Sequence, residues 1–84
     1  MKKITLQTPT DYTYDDKTWL HDNNDPYQDF ECFLGKVRGM TIALRVSLDV
    51  ENRSAYFCVR EADDPVTISL PYAAAVAMIG LKPL

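Results

Sequence analysis

A chain of 84 residues, 46% hydrophobic and 25% charged, suffices for one small domain spanning 1–84 with a real core, and leaves no room for a second. That composition excludes a chain too polar to fold, and no apolar run approaches the length that crosses a membrane. The net charge of −3 hides an uneven distribution, with an acidic segment between Asp11 and Glu31 that argues against ordinary nucleic-acid binding through it.

The start, Met1-Lys2-Lys3-Ile4-Thr5, has the charge of a signal peptide's first segment but not the apolar run that should follow, so a cytoplasmic protein is expected. Lys2–Thr8 alternates, with Ile4 and Leu6 to one side and Thr5 and Gln7 to the other, which suits a short strand that Pro9 ends. Residues 10–27 are rich in Asp, Asn, Tyr and Thr and read as one long connection; Asp15 is placed to cap a turn or two of helix through His21, with Trp19 and Leu20 tying the connection to the body.

From Phe30 onward the pattern is that of a sheet. Phe30, Cys32 and Leu34 sit two apart, and Gly35 to Gly39 supplies a turn into the most regular stretch of the chain. There Met40, Ile42, Leu44, Val46, Leu48 and Val50 alternate with Thr41, Ala43, Arg45, Ser47 and Asp49. A helix would scatter those six apolar side chains around its circumference, whereas a strand puts them all on one buried face. Ala55–Arg60 returns as the next strand. If Asn52 and Arg53 form a two-residue loop, Val50 faces Ala55, Leu48 faces Phe57 and Val46 faces Val59; a longer loop of the same parity keeps the same apolar face. Ala62-Asp63-Asp64-Pro65 reads as an acidic turn, and Val66–Leu70 alternates again.

Pro71 suits the first position of a helix over Tyr72–Ile79, which Gly80 closes in a left-handed cap with Leu81 folded back on Val76 or Ala77. That helix carries no charged residue, so more than one of its sides should be covered, by the acidic connection, a second copy or another partner. The fold expected is α+β: a mainly antiparallel meander of four to five strands with one C-terminal helix on its apolar face.

Chemistry-bearing motifs are few. Cys32 shares the core parity and Cys58 the opposite one, so free thiols are expected rather than a bridge. His21 stands alone and reads as a solvated loop histidine. Asp22-Asn23-Asn24-Asp25 lacks the glycine and the bidentate acid of an EF-hand loop, with Tyr27 and Phe33 at those positions. Neither catalytic residues nor a cofactor or metal set can be named, and a non-catalytic protein is expected.

What remains is an uneven charge. Asp11, Asp15, Asp16, Asp22, Asp25, Asp29 and Glu31, against Lys17 alone, give this segment −6, while the rest of the chain carries +3. Aromatics interleave these acids. Tyr and Trp are favoured interface anchors, and spaced carboxylates complement a basic groove. The expected partner-binding set is Asp11, Tyr12, Tyr14, Asp15, Asp16, Trp19, Asp22, Asp25 and Tyr27, and the expected partner is a protein with a basic surface, such as a nucleic-acid-binding enzyme, rather than nucleic acid or membrane. Small size, acidity and the lack of catalytic motifs fit the general profile of phage or mobile-element inhibitors, anti-CRISPR and anti-restriction proteins among them. The alternative is a homodimeric structural or regulatory module that associates through the uncharged helix.

Overall fold

The computed structural model describes residues 8–60 and 66–84. Its elements in chain order are β1 (Tyr12–Thr13), β2 (Leu20–Asn24), β3 (Tyr27–Val37), β4 (Met40–Asp49), β5 (Ser54–Arg60), β6 (Thr67–Pro71), α1 (Tyr72–Ile79) and β7 (Lys82–Pro83). Strands β2 to β6 form one antiparallel sheet in sequence order, with β4 at its centre, and β1 pairs with β7 in a separate two-stranded ribbon. The expected α+β meander with its C-terminal helix is the fold observed. The strand expected over Lys2–Thr8 lies outside the described residues apart from Thr8, and so does the turn expected at 62–65; Thr8 itself belongs to a turn closed by Asp11.

Directly paired residues of an antiparallel sheet project to the same side. One face therefore carries His21, Phe30, Val46, Phe57 and Ile68 in one row, Asn23, Gln28, Leu48, Ala55 and Leu70 in the next, and Cys32, Leu44 and Val59 in a third. On this side Phe30, Val46, Leu48 and Ala55 join Ala75 and Ile79 of α1, together with Tyr12, Trp19 and Leu81, in one core. Burying alternate positions of the three central strands, β3 to β5, on the helix side is the arrangement that the period-two pattern of β4 demands. α1 ends as its sequence predicts: Gly80 has φ of 77°, its N–H donates to Val76 and Ala77 carbonyls, and Leu81, buried, donates to Val76.

Several expectations are corrected. Residues 10–27 are not one irregular connection, because β1 and β2 lie within them. β2 escapes a hydrophobic-pattern reading because it is an edge strand whose sole large apolar residue, Leu20, is 54% exposed on the side away from the core. Leu20 therefore does not tie this segment to the body; Trp19, 7% exposed, does. Asp15 caps a single turn instead of a helix: its side chain accepts from the Lys17 N–H and the Thr18 hydroxyl, and its carbonyl from the Trp19 N–H. Leu34 was expected beside Phe30 and Cys32 but is exposed, because the β3–β4 register slips between Phe33 and Gly35 and leaves it as the extra residue of a bulge.

The β4–β5 register is shifted by two from the expected one. Leu48 faces Ala55, Val46 faces Phe57 and Leu44 faces Val59. The parity is kept, so the buried face is the same. The loop is longer because the Asp49 carboxylate accepts from both the backbone and the side chain of Asn52, and Arg53 takes a left-handed conformation at φ of 54°. The β3–β4 hairpin, by contrast, turns in two residues, Arg38 and Gly39, both at positive φ as such a tight turn requires. Pro71 closes β6 and stands just before α1 rather than as its first residue.

Candidate functional site

The nine residues singled out by charge and aromaticity divide into two groups. Tyr12 and Trp19 are buried in the core at 3% and 7% exposure. Tyr14, half-buried, belongs to the same packing: its ring centroid lies 5.5 Å from that of Phe30, edge to face, and 5.8 Å from that of Tyr12. The exposed residues are Asp11, Asp15, Asp16, Asp22, Asp25 and Tyr27. Of these, Asp15 and Asp16 lie in the turn before β2, Asp22 on β2, and Asp25 in the turn after it, so that four carboxylates follow one edge of the sheet.

His21 is not the solvated loop histidine expected. It is half-buried, its ring centroid lies 4.8 Å from that of Phe30 and 5.5 Å from that of Tyr12, and Nε2 bonds Gln28 Oε1. Because Gln28 Nε2 donates to Asn23 Oδ1, Oε1 is left to accept from the His21 ring N–H. The chain thus seals the margin of the core beneath the acidic edge with a polar network rather than with aliphatic side chains.

Burial and neighbouring charge shape the titration of this region. Desolvation, then the phenol of Tyr14 and the carboxylate of Asp11, push the Tyr12 phenol far above its ordinary range. Desolvation and then Asp16 raise Tyr14 likewise. The Thr18 hydroxyl and then the Lys17 amide hold the Asp15 carboxyl below the usual carboxylate range, so Asp15 is ionised at neutral pH.

The second surface is the sheet face opposite the helix. Its rows run Leu20, Glu31, Arg45, Cys58, Thr67; then Asp22, Asp29, Ser47, Tyr56, Ser69; then Asn24, Tyr27, Asp49, Ser54, Pro71. In the first row Glu31 Oε2 receives Arg45 at 3.1 Å and also Arg60, from the adjoining row, at 3.3 Å. The second row puts the carboxylates of Asp22 and Asp29 directly opposite each other, and Asp29 is only 8% exposed. By charge, Asp29 and Glu31 belong to the acidic segment, but charge alone neither places them at the binding surface nor connects Tyr56 to it. A signal was present for Asp29, since a strand that alternates around Phe30 must put it on the face away from the core. Cys32 and Cys58 are both free and project to opposite faces, as parity predicts.

Among the described residues no group of three His, Cys, Asp or Glu is arranged to hold a metal ion, and no helix is long and apolar enough to cross a membrane. Comparison with protein-family models, curated proteins and solved structures finds no match to this chain.

Proposed function

We propose that this chain is a small non-catalytic protein that binds a macromolecule bearing a basic surface, and inhibits it by occupying that surface. The observation carrying the reading is the line of exposed carboxylates at Asp15, Asp16, Asp22 and Asp25 along the β2 edge, beside the exposed ring of Tyr27. Such a line presents several negative charges along one edge of a folded scaffold, and it competes for a basic groove that holds a nucleic-acid backbone. The partner class is therefore a nucleic-acid-binding protein, and the profile remains that of a mobile-element inhibitor such as an anti-CRISPR or anti-restriction protein.

Immobilised wild type and an Asp15→Asn, Asp16→Asn, Asp22→Asn, Asp25→Asn variant, exposed to the same host extract, test the reading. A basic protein held by wild type, released by salt, absent from the variant and losing activity in proportion to added wild type is the expected result. Equal retention by both across the salt range rejects it.

A second reading, a homodimer, is favoured by the other edge. β6 and α1 carry no charged side chain, and Val66, Ile68 and Met78 are 69%, 54% and 44% exposed there. An uncharged open edge is where two negatively charged copies approach with least repulsion. Sedimentation at rising concentration tests it: an invariant monomer mass rejects the dimer.

A further inference from the structure

We infer that the opposed pair Asp22 and Asp29, on the sheet face away from the helix, is a receptor for a single arginine side chain of the partner. This rests on reading the acidic edge as a partner-binding surface, and it names the chemistry recognised there.

Like charges directly opposite on neighbouring strands destabilise a sheet, since their Cβ atoms are only about 5 Å apart. The Asp22–Asp29 pair is such a case. Exposure of Asp22 to water weakens the repulsion, but Asp29 is 92% removed from solvent and its carboxylate has, among the described residues, no hydrogen-bond or ion-pair partner. Its oxygens keep only a narrow contact with water, and a carboxylate so little hydrated, with no donor from the protein, gains by accepting one from a partner. Two residues along the same strand and on the same face, Glu31 is paired twice, by Arg45 and Arg60. The face therefore carries one carboxylate whose arginines come from this chain and one whose donor is missing.

The surroundings select a guanidinium over an ammonium. Ser47 stands opposite Asp29 on its other side and supplies a further acceptor. Tyr27, on the same face two residues before Asp29, and Tyr56, opposite Ser47, are 37% and 36% exposed, so both offer ring surface beside the pair. A planar group with five donors engages two carboxylates at once while its faces rest on aromatic rings; a lysine ammonium supplies neither the fork nor the flat face. The carboxylates of Asp15, Asp16 and Asp25 then serve to attract the partner, and the Asp22–Asp29 pair sets its register.

The test compares wild type, Asp29→Asn and an Asp15→Asn, Asp16→Asn, Asp25→Asn variant, each titrated with labelled nona-arginine and nona-lysine peptides at low ionic strength, with melting temperatures measured alongside. Asp29→Asn is expected to weaken nona-arginine binding by about tenfold and nona-lysine binding by less than about threefold, without lowering the melting temperature, since it removes a repulsion. Unchanged nona-arginine affinity overturns the inference, as does an equal loss for both peptides, which would mean charge without a receptor. A lowered melting temperature also overturns it by showing that Asp29 has a structural partner within the fold. Calcium that stabilises wild type but not Asp29→Asn, with nona-arginine indifferent to the change, would mark the pair as a cation site instead. The triple variant separates the two levels. If it binds both peptides as tightly as wild type while Asp29→Asn fails on arginine, the receptor stands and the acidic edge does not.

Discussion

Replacing Trp19 by Ala separates packing from recognition, because the sequence makes this residue look like an interface anchor while the fold buries it among Tyr12, Phe30, Ala75 and Ile79. An indole buried to this extent removes about 200 Å² from water, and at ~25 cal/mol per Å² that is at most about 5 kcal/mol. Allowing for the methyl that remains and for partial collapse of the site, the loss should be about 3 to 4 kcal/mol, the lower part of the range for an aromatic truncated in a core. Total stability for a chain of 84 residues is expected at roughly 4 to 13 kcal/mol, so the variant should melt about 15 to 30 °C below wild type or lack a cooperative transition. Trp19 is the sole tryptophan, so the transition must be followed by far-ultraviolet circular dichroism rather than by fluorescence. A variant that melts within about 2 °C of wild type yet loses its partner would refute the packing argument and return Trp19 to the binding surface.

Other expectations follow from the same sheet. Leu48→Asp puts a charge on the buried row between Gln28 and Ala55 and should abolish cooperative unfolding, whereas Ser47→Asp, opposite Asp29, should cost only about 1 kcal/mol, much of it recovered in salt; equal melting curves would mean the two faces are exchanged. Cys32 and Cys58 project to opposite sides of the sheet, so mild oxidation should produce no intramolecular bridge, and a mapped Cys32–Cys58 peptide would contradict the register. The Tyr12 hydroxyl is buried without a hydrogen-bond partner, so Tyr12→Phe should leave neutral-pH stability unchanged or raise it by up to about 1 kcal/mol. The pH dependence has a definite sign. Tyr12, Tyr14 and Tyr72 ionise less readily in the folded chain than at the ordinary value of 10.0, so their contribution is complete below pH 10 and is lost as pH rises beyond it, where only the unfolded chain ionises freely. Tyr12→Phe should therefore hold its melting temperature further into alkali than wild type; identical alkaline curves would contradict the burial of this phenol.

The strand from Met40 to Asp49, the parity of β5, the helix over Tyr72–Ile79 and its glycine cap were all legible in the residues. Each is decided by forces between near neighbours in the chain: alternation with period two, a proline that ends a strand, a glycine free to take positive φ. Asp15 as a capping acceptor was legible for the same reason, since its donors lie within four residues, but the helix expected through His21 was not, because Leu20 and His21 belong to β2.

Tertiary structure decided what no local pattern carries. β2 has polar residues on both sides because it is an edge, and only pairing with β3 makes it a strand. The two-residue shift between β4 and β5 preserves every apolar contact side, so hydrophobic patterning was blind to it and the Asp49–Asn52 bonds settled it. Tyr12 reads as a surface anchor because it sits among acids in the chain, and Trp19 reads both as such an anchor and as a tie to the body; joining one core with α1 and Leu81, more than fifty residues away in sequence, turns both inward. Asp22 and Asp29 are seven positions apart and acquire a common meaning only when the hairpin sets them face to face. Charge is a property of composition, but which charges meet is a property of register.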